Sequence, residues 1–598
     1  MDMRYTRDVV FFFMVFSLAF PDIPKFLQIP FISGPLVSRA IFYPLVAAFI
    51  FTAIWRQKSK DLFVNFYLFK RYFFITLAVL LVSEIFGFLQ YPFQDFIFSH
   101  LINLPPHYAK TVDFFHMVGI KLKPETIVGA SFIVKNFKNL ILGTFFSLGC
   151  SYIIYCWYRN EVQRAFSIMY KALVLLVSLM TIYCIIELIY LSGNPFAGDL
   201  LTLVNPYIHN IASEGGWHPP LLWRGQMRAI FDEPSYLGIF ASFAFPIFWL
   251  FFYKEREKSY LTFLWLLQVC LAVELFLSQA RTGIFLFVVE IFIYALGLIW
   301  FYRCGIERRT ILRRSILICA GLMIAFGFSH YFINYQLIPR INRFEDMKAR
   351  VATVEILQSD YDKYGFRFLG KSAFTLTAPP SSQVNKRHKG KSLDAKMEKS
   401  GAVSQLGNKG YLEDNLLSLS DSNARSNKTR YMYMIADLRL GIAHPLLGVG
   451  PGLRSGYITV YLERAGSLNS ELIDNMKKVK EKGTLNQVYA YLGDYTIRFS
   501  ESGLLGLISF LIPVCYLCML VFGHIRNECF NKLTLETYLC YLTFIALFFT
   551  ILLSGISVNF TIIFIFWIFL GLGFALYLPG KIDNKGKSGK FGSFLYRF

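Results

Sequence analysis

Twelve stretches of this chain are each apolar for roughly 20 residues, the length an α-helix needs to cross a hydrocarbon core. They lie near 9–27, 36–55, 73–91, 138–157, 167–192, 235–253, 260–277, 283–302, 314–333, 503–523, 536–554 and 557–579. In lipid every backbone N–H and C=O must be satisfied within the protein, so runs of this length are helices. The expectation is an all-α polytopic membrane protein of about twelve transmembrane helices. Composition agrees: 55% of residues are hydrophobic and 17% charged, too little polar surface to cover the chain in water. The first stretch is the least regular, because Pro21, Asp22, Pro24 and Lys25 interrupt it. Its apolar part, Val9 to Phe20, is as short as a signal-peptide core, but no small-residue cleavage site follows, so it reads as a membrane segment.

Orientation follows from the Lys and Arg in the short loops, about 24 on one side against about 8 on the other. The richer side is cytoplasmic and includes Arg56, Lys58, Lys60, Lys70, Arg71, Lys254, Arg256, Lys258, Arg303, Arg308, Arg309, Arg313 and Arg314. It also includes the basic tail 581–598. Residues 92–137, 193–234, 278–282 and 334–501 then lie outside. This gives helices one to nine over 1–333, a large extracytoplasmic loop over 334–501, and helices ten to twelve over 502–580. The net charge of +21 is mostly cytoplasmic loop charge, which excludes a nucleic-acid partner and leaves membrane lipids as the general one. None of the ten cysteines falls in an outer loop, so the large loop is held by packing rather than disulfides. Cys515 and Cys518 form a CxxC inside an apolar run with no partner pair, which points to packing rather than metal.

Within the large loop, Ile341 to Tyr364 reads as an amphipathic helix near the membrane surface. Residues 371–428, rich in Ser, Lys, Asn and Gly, read as a flexible insert. Helical period returns from Thr429 to Ala443, where Tyr431, Met434, Ile435, Leu438 and Ile442 share one face. The turn HPLLGVGPG, from His444 to Gly452, follows. Its Gly448, Gly450 and Gly452 permit positive φ or close backbone approach, and no GK[ST] follows to make it a P-loop.

Three patterns on the outer side carry residues suited to chemistry. RGQMRAIFDEPSYLGIF, from Arg224, sets Arg224, Arg228, Asp232 and Glu233 at the start of the sixth span. LSQARTGIFLF, from Leu277, pins Arg281 in a tight turn between two spans. TRYMYMIADLRLGIAHPLLGVGPG, from Thr429, carries Arg430 and His444, and RFSESGLLGLISFLIP follows from Arg498. Arginine presents a planar fork of donors that matches pyrophosphate, although the same side chains also anchor helices at the membrane interface.

Together these patterns resemble the O-antigen ligase and polymerase superfamily of bacterial inner-membrane glycan assembly enzymes. The matching elements are FDEPS, SQARTG, Arg430 with HPLLGVGPG, and Glu501 with GLLG, in the family's order and over roughly 220–520. Two departures stand out. Gln226 occupies the position of the family's first arginine, so Arg224 or Arg228 must supply that role. The His-Asn pair of the ligases is replaced by Gly493 and Asp494. The resemblance therefore implies a polymerase, joining polyprenyl-pyrophosphate-linked oligosaccharide repeat units at the periplasmic face for O-antigen, capsule or exopolysaccharide. It implies Arg430, Arg281 and then Arg228 as pyrophosphate ligands, and Glu233, Asp494 or Glu501 as the group that deprotonates or orients the acceptor hydroxyl. Arg224, His444, Gly448, Gly450 and Gly452 would line the substrate. The chemistry implied needs no cofactor and no metal, and a chain-length regulator would be a further partner.

Two other functions fit parts of the sequence. A ligase would move the glycan to lipid A core or to protein, but the missing histidine argues against it. A lipid-linked sugar flippase or other secondary transporter would need charged residues near the bilayer midplane, for which Glu84 and Glu187 are candidates, and two related halves. No such halves are apparent.

Overall fold

Apolar runs bounded by Pro, Gly and charged residues become helices, and packing of those helices carries the fold. The computed structural model describes residues 3–20, 23, 39–58, 63, 65–93, 106–119, 122–209, 221, 225–303, 307–340, 425–463, 470–483, 485, 489–527, 534–560 and 564–578. Among these there is no strand. In chain order the first helices are α1 (Met3–Phe16), α2 (Phe42–Lys58), α3 (Phe66–Leu89), α4 (Pro106–Met117), α5 (Pro124–Tyr158), α6 (Val162–Leu191) and α7 (Pro195–Ile208). Then come α8 (Pro234–Lys254), α9 (Lys258–Ser278), α10 (Arg281–Arg303) and α11 (Arg308–Tyr331). Next among the described residues are α12 (Arg425–Ala443), α13 (Arg454–Glu463) and α14 (Ser470–Lys482). The chain returns through α15 (Asp494–Asn527), α16 (Leu535–Ser554) and α17 (Ile565–Tyr577).

Twelve of these helices overlap the twelve apolar stretches, the first only over residues 9–16 of the expected 9–27. Nine of them are long and apolar enough to cross a membrane, while α1, α2 and α17 are shorter at 14, 17 and 13 residues. Helix α3 turns Leu68, Phe74, Ile75, Val82, Ile85, Phe86 and Leu89 outward. In water that face would be unfavourable by ~25 cal/mol per Å² of apolar surface, whereas in lipid it is matched. Helices approach through small residues, as lipid-embedded helices do. A Cβ on Gly571 of α17 would lie 2.4 Å from the Ser151 carbonyl of α5, and Ser151 Oγ donates to the Trp567 carbonyl at 2.7 Å.

Several segments differ from expectation. Helix α5 starts at Pro124 and has 35 residues, about 52 Å at helical rise, so it projects past a bilayer core. Its first turns fall in 92–137, the segment expected to lie outside. Helix α7 was not anticipated, although Asn194 caps it through Oδ1 and the Phe196 N–H at 3.0 Å, with Pro195 at the first position. Helix α11 continues through a π-helical turn, Phe332–Leu337, into what had read as loop. The expected surface helix at Ile341 to Tyr364, the insert up to 424 and the tail 581–598 lie outside the described residues. The final part of the insert, from Arg425, is helical.

One end of the bundle is tied by charge. Arg7 donates to the Trp157 carbonyl at 2.7 Å and to Glu161 at 2.8 Å, and Asp8 pairs with Arg164. The N-terminus and the 159–161 loop therefore share a face. The glycine turn lies away from this cluster, against the C-terminal part of α3 and beside Asn136 of α5.

Candidate functional site

The site assembles on that side as two clusters joined by α12. The first cluster forms where α8 crosses α10. Gly238 of α8 and Gly283 of α10 touch backbone to backbone: a Cβ on Gly283 would lie 2.4–2.6 Å from Gly238 backbone atoms. Only glycine allows that approach, and it brings the FDEPS and SQARTG segments together. The preceding loops are stitched as well, with Met227 N–H donating to the Leu277 carbonyl at 3.2 Å and Gln279 Nε2 to the Gly225 carbonyl at 2.7 Å. Ala229 and Gln279 both hold positive φ, 51° and 52°, a conformation that non-glycine residues adopt at a cost of about 1–3 kcal/mol. Stored strain in both loops marks this junction.

Arg430, near the start of α12, reaches the junction. Its Nη1 donates to Thr282 Oγ1 at 3.1 Å, and its charge acts on Glu233. Glu233 accepts from Ser235 Oγ at 3.1 Å. Burial pushes its carboxyl above the ordinary range, while Ser235 and Arg430 pull it back. Arg281 is the first residue of α10, directly before Thr282. Arg430 and Glu233, drawn from two separate patterns, thus meet beside Thr282 of the third, one residue on from Arg281.

Arg228 does not present its guanidinium at the surface. It is fully buried, with Nη1 on the Asp232 carbonyl at 3.5 Å and the Glu187 carboxylate beside it. Glu187 also accepts the Ala229 N–H at 2.9 Å, and Asp232 lies 3.7 Å from the buried His209 ring. Burial pulls the Arg228 guanidinium down from its ordinary range, and Glu187 offsets this. These contacts give Arg228 the position of an internal strut for the FDEPS loop. Arg224 lies outside the described residues.

The second cluster is the glycine turn docked on a broken helix. Helix α15 is interrupted at Gly503 (φ 64°, ψ −165°), a conformation open to glycine. The break orphans two carbonyls before it and two N–H groups after it, and the turn satisfies all four. Val449 N–H donates to the Ser500 carbonyl at 3.0 Å and Gly450 N–H to the Glu501 carbonyl at 2.8 Å. In return, Leu504 N–H donates to the Pro445 carbonyl at 2.8 Å and Leu505 N–H to the Leu446 carbonyl at 3.2 Å. Gly448, Gly450 and Gly452 all have positive φ, and Gly452 N–H donates to Glu501 Oε1 at 3.1 Å. The glycines are therefore spent on seating the turn and on holding Glu501. His444 is half-buried, edge-on to the Tyr457 ring, and burial lowers its pKa, so it stays neutral near pH 7.

A buried ion pair locks this arrangement, and the sequence patterns did not single it out. Arg454 of α13 grips Asp437 of α12 with two donors, Nη2 at 3.0 Å from Oδ2, between the rings of Tyr433 and Tyr491. Both residues are 0% exposed, and Asp437 keeps the guanidinium charged. Asp437 also accepts from Ser500 Oγ at 3.4 Å. The pair flanks the turn on both sides, and a 17-residue spacing with no periodic relation left no local signal.

The apolar face expected on α12 is not the buried one. Tyr431, Leu438 and Ile442 are exposed, and Met432, Tyr433, Ala436, Asp437 and Leu440 are buried. The reason is contact with α15: Gly441 lies against the Phe499 ring, where a Cβ would come within 2.4 Å, and Asp437 must face Arg454. Asp494 is also inward: it is 1% exposed, pairs with Arg498, and accepts the Phe560 N–H at 3.2 Å. That ties α15 to the segment after α16 and leaves Asp494 turned inward rather than open to substrate. Arg430 precedes the end of α12 by 13 residues, about 20 Å of helix, so the cationic cluster and the glycine turn occupy opposite ends of one element.

Beside Gly452 a small recess is lined by Tyr91, Tyr108, Phe132, Lys135, Asn136, Ser455 and Leu485. Lys135 Nζ sits over the Tyr108 ring at 5.3 Å. Among the described residues no group of three or more His, Cys, Asp or Glu is arranged to hold a metal ion. What fold and site define together is a helical multi-pass membrane protein with an arginine–glutamate cluster and a carboxylate-bound glycine turn at one face. No family model matches the chain, and no curated protein matches it.

Proposed function

We propose that this protein is a membrane glycosyltransferase that polymerises polyprenyl-pyrophosphate-linked oligosaccharide repeat units on the outer face of a bacterial inner membrane. The observation that carries the reading is the meeting of Arg430 with Thr282 and Glu233, because residues 148 positions apart in sequence converge to set one cation beside an acidic group. In the reaction the acceptor hydroxyl oxygen attacks the anomeric carbon of the donor sugar. The bond from that carbon to the lipid pyrophosphate oxygen breaks, and its electron pair leaves with the pyrophosphate. Arg430 and Arg281 neutralise the charge that develops there, which matters more than protonating so anionic a leaving group. The hydroxyl proton passes to Glu233, the carboxylate beside Arg430; Glu501 is engaged by Gly452, and Asp494 by Arg498 and the Phe560 N–H. Polymerase rather than ligase is favoured by Gly493 and Asp494 in place of the ligases' His-Asn pair.

Deletion of the gene followed by analysis of surface glycan tests this. The expected result is single repeat units capping the acceptor. Complete loss of transfer would indicate a ligase, and failure of units to reach the outer face a flippase.

A further inference from the structure

Both ends of α12 are pinned to the starts of membrane spans. At one end Arg430 donates to Thr282 in the first turn of α10. At the other, the Pro445 and Leu446 carbonyls accept from the Leu504 and Leu505 N–H groups, where α15 resumes after its break. Both α10 and α15 are long and apolar enough to cross a membrane. With 19 residues, about 28 Å of helix, α12 therefore runs across the end of the bundle. Its two sides differ. Met432, Tyr433 and Ala436 pack in one cluster with Ile458 of α13 and Leu472 and Met476 of α14. The far surface of that layer is charged, with Asp474, Lys477, Lys478 and Glu481 exposed on α14. The opposite side of α12 exposes Tyr431, Leu438 and Ile442, and Leu446 continues the stripe in the turn; Ile442 is 69% and Leu446 64% exposed. Backbone hydrogen bonding sets Leu446 against Leu505, and from there Ile508, Ile512 and Met519 carry the exposed side of α15 along its apolar span. One apolar surface thus passes without interruption from α12 to a face that lipid covers.

In water this stripe would keep several large apolar side chains hydrated, whereas acyl chains lie at the level of the span ends that hold α12. We infer that α12 is an interfacial helix, with its Tyr431, Leu438, Ile442 and Leu446 side seated among the acyl chains of the leaflet on the site face and α13 and α14 above it in water. Arg439, exposed at the edge of the stripe, stands where a guanidinium reaches lipid phosphate while its stem stays on apolar surface. The seat holds Arg430 at head-group depth, the depth of the phosphate in any lipid-linked molecule. This does not depend on glycan transfer being the reaction.

The test places p-benzoylphenylalanine, whose photoexcited ketone inserts into nearby C–H bonds, at single positions of the full chain in vesicles of phosphatidylethanolamine and phosphatidylglycerol. In place of Ile442 or Leu438 it should gain the mass of one phospholipid on irradiation, as it should in place of Leu505 on the lipid face of α15. In place of Lys477, exposed on the charged surface of α14, it should gain none. Ile442 and Leu438 are exposed, so the larger ring needs no room in the core, and Leu446 supplies a third position should either variant fail to reach the vesicles. Lipid adducts at 505 without any on the α12 stripe would overturn the inference by showing that the stripe faces water. Cross-links between two chains at 442 or 438, in place of lipid, would overturn it by showing a second copy there. No glycan is measured, so failure here and failure of the transferase reading are separate results.

Discussion

Arg430 is the residue on which the functional reading turns. It sits where three sequence patterns meet, half-buried and hydrogen-bonded to Thr282 rather than turned to solvent. If it clamps a pyrophosphate, Arg430→Ala should abolish polymer while single units still reach the acceptor. Arg430→Lys should fail too, because a compact ammonium cannot reproduce the planar bidentate fork of a guanidinium. Polymer length on gels, read beside the amount of protein in the membrane, separates this from simple anchoring. Full-length polymer from the Lys variant at normal abundance would show an anchor, since lysine snorkels to the interface as well as arginine does. Arg228 shows why residue type alone misleads: its sequence neighbourhood suits a ligand, and its burial beside Glu187 suits a strut.

Among elements, the break in α15 does the most to shape the site. A continuous helix would satisfy its own backbone and leave the turn no place to dock. Gly503→Ala should therefore be costly twice over, by forcing a left-handed φ on alanine and by placing a Cβ 2.3 Å from the Leu446 carbonyl. Backbone strain alone contributes about 1–3 kcal/mol. We expect a lower unfolding temperature in detergent and loss of polymer, with the Glu501–Gly452 contact broken. An unfolding temperature equal to wild type would mean the helix and turn are not coupled in this way. Helix α12 makes the same point from the other side. Its exposed stripe is as apolar as its buried one, and the choice between them is made by Gly441 against Phe499 and Asp437 against Arg454.

For the whole molecule, the geometry divides the two ends sharply. The Arg7, Asp8, Glu161 and Arg164 cluster ties one face, and every candidate site residue that can be located lies toward the other. Glu84 and Glu187, which a transporter would keep near mid-membrane, sit near the ends of α3 and α6 against the glycine turn and the FDEPS loop. The Lys and Arg asymmetry of the short loops predicts that the site face is the outer one. Reporter fusions after residues 215, 400 and 470 should read as external, and those after 60, 306 and 585 as cytoplasmic. A cytoplasmic signal at 400 would put the site on the wrong side for lipid-linked glycan transfer.

Hydropathy and spacing by themselves determined the class, the position of every long apolar helix and the turn glycines, because each depends on neighbours within a few residues. Lipid enforces the first by demanding internal hydrogen bonds, and positive φ enforces the last. The start of α5 and the existence of α7 were within reach of capping signals at Lys123–Pro124 and Asn194–Pro195, which hydropathy alone overlooks. Only the tertiary structure decided which charges work as struts and which gather at the site. The Asp437–Arg454 pair, the inward turn of Arg228, the union of Arg430 with Thr282 and the placement of Glu84 behind Gly450 all arise between distant segments. Their energies come from removing charge and backbone from water together, and that depends on which surfaces meet rather than on the order of residues along any one of them.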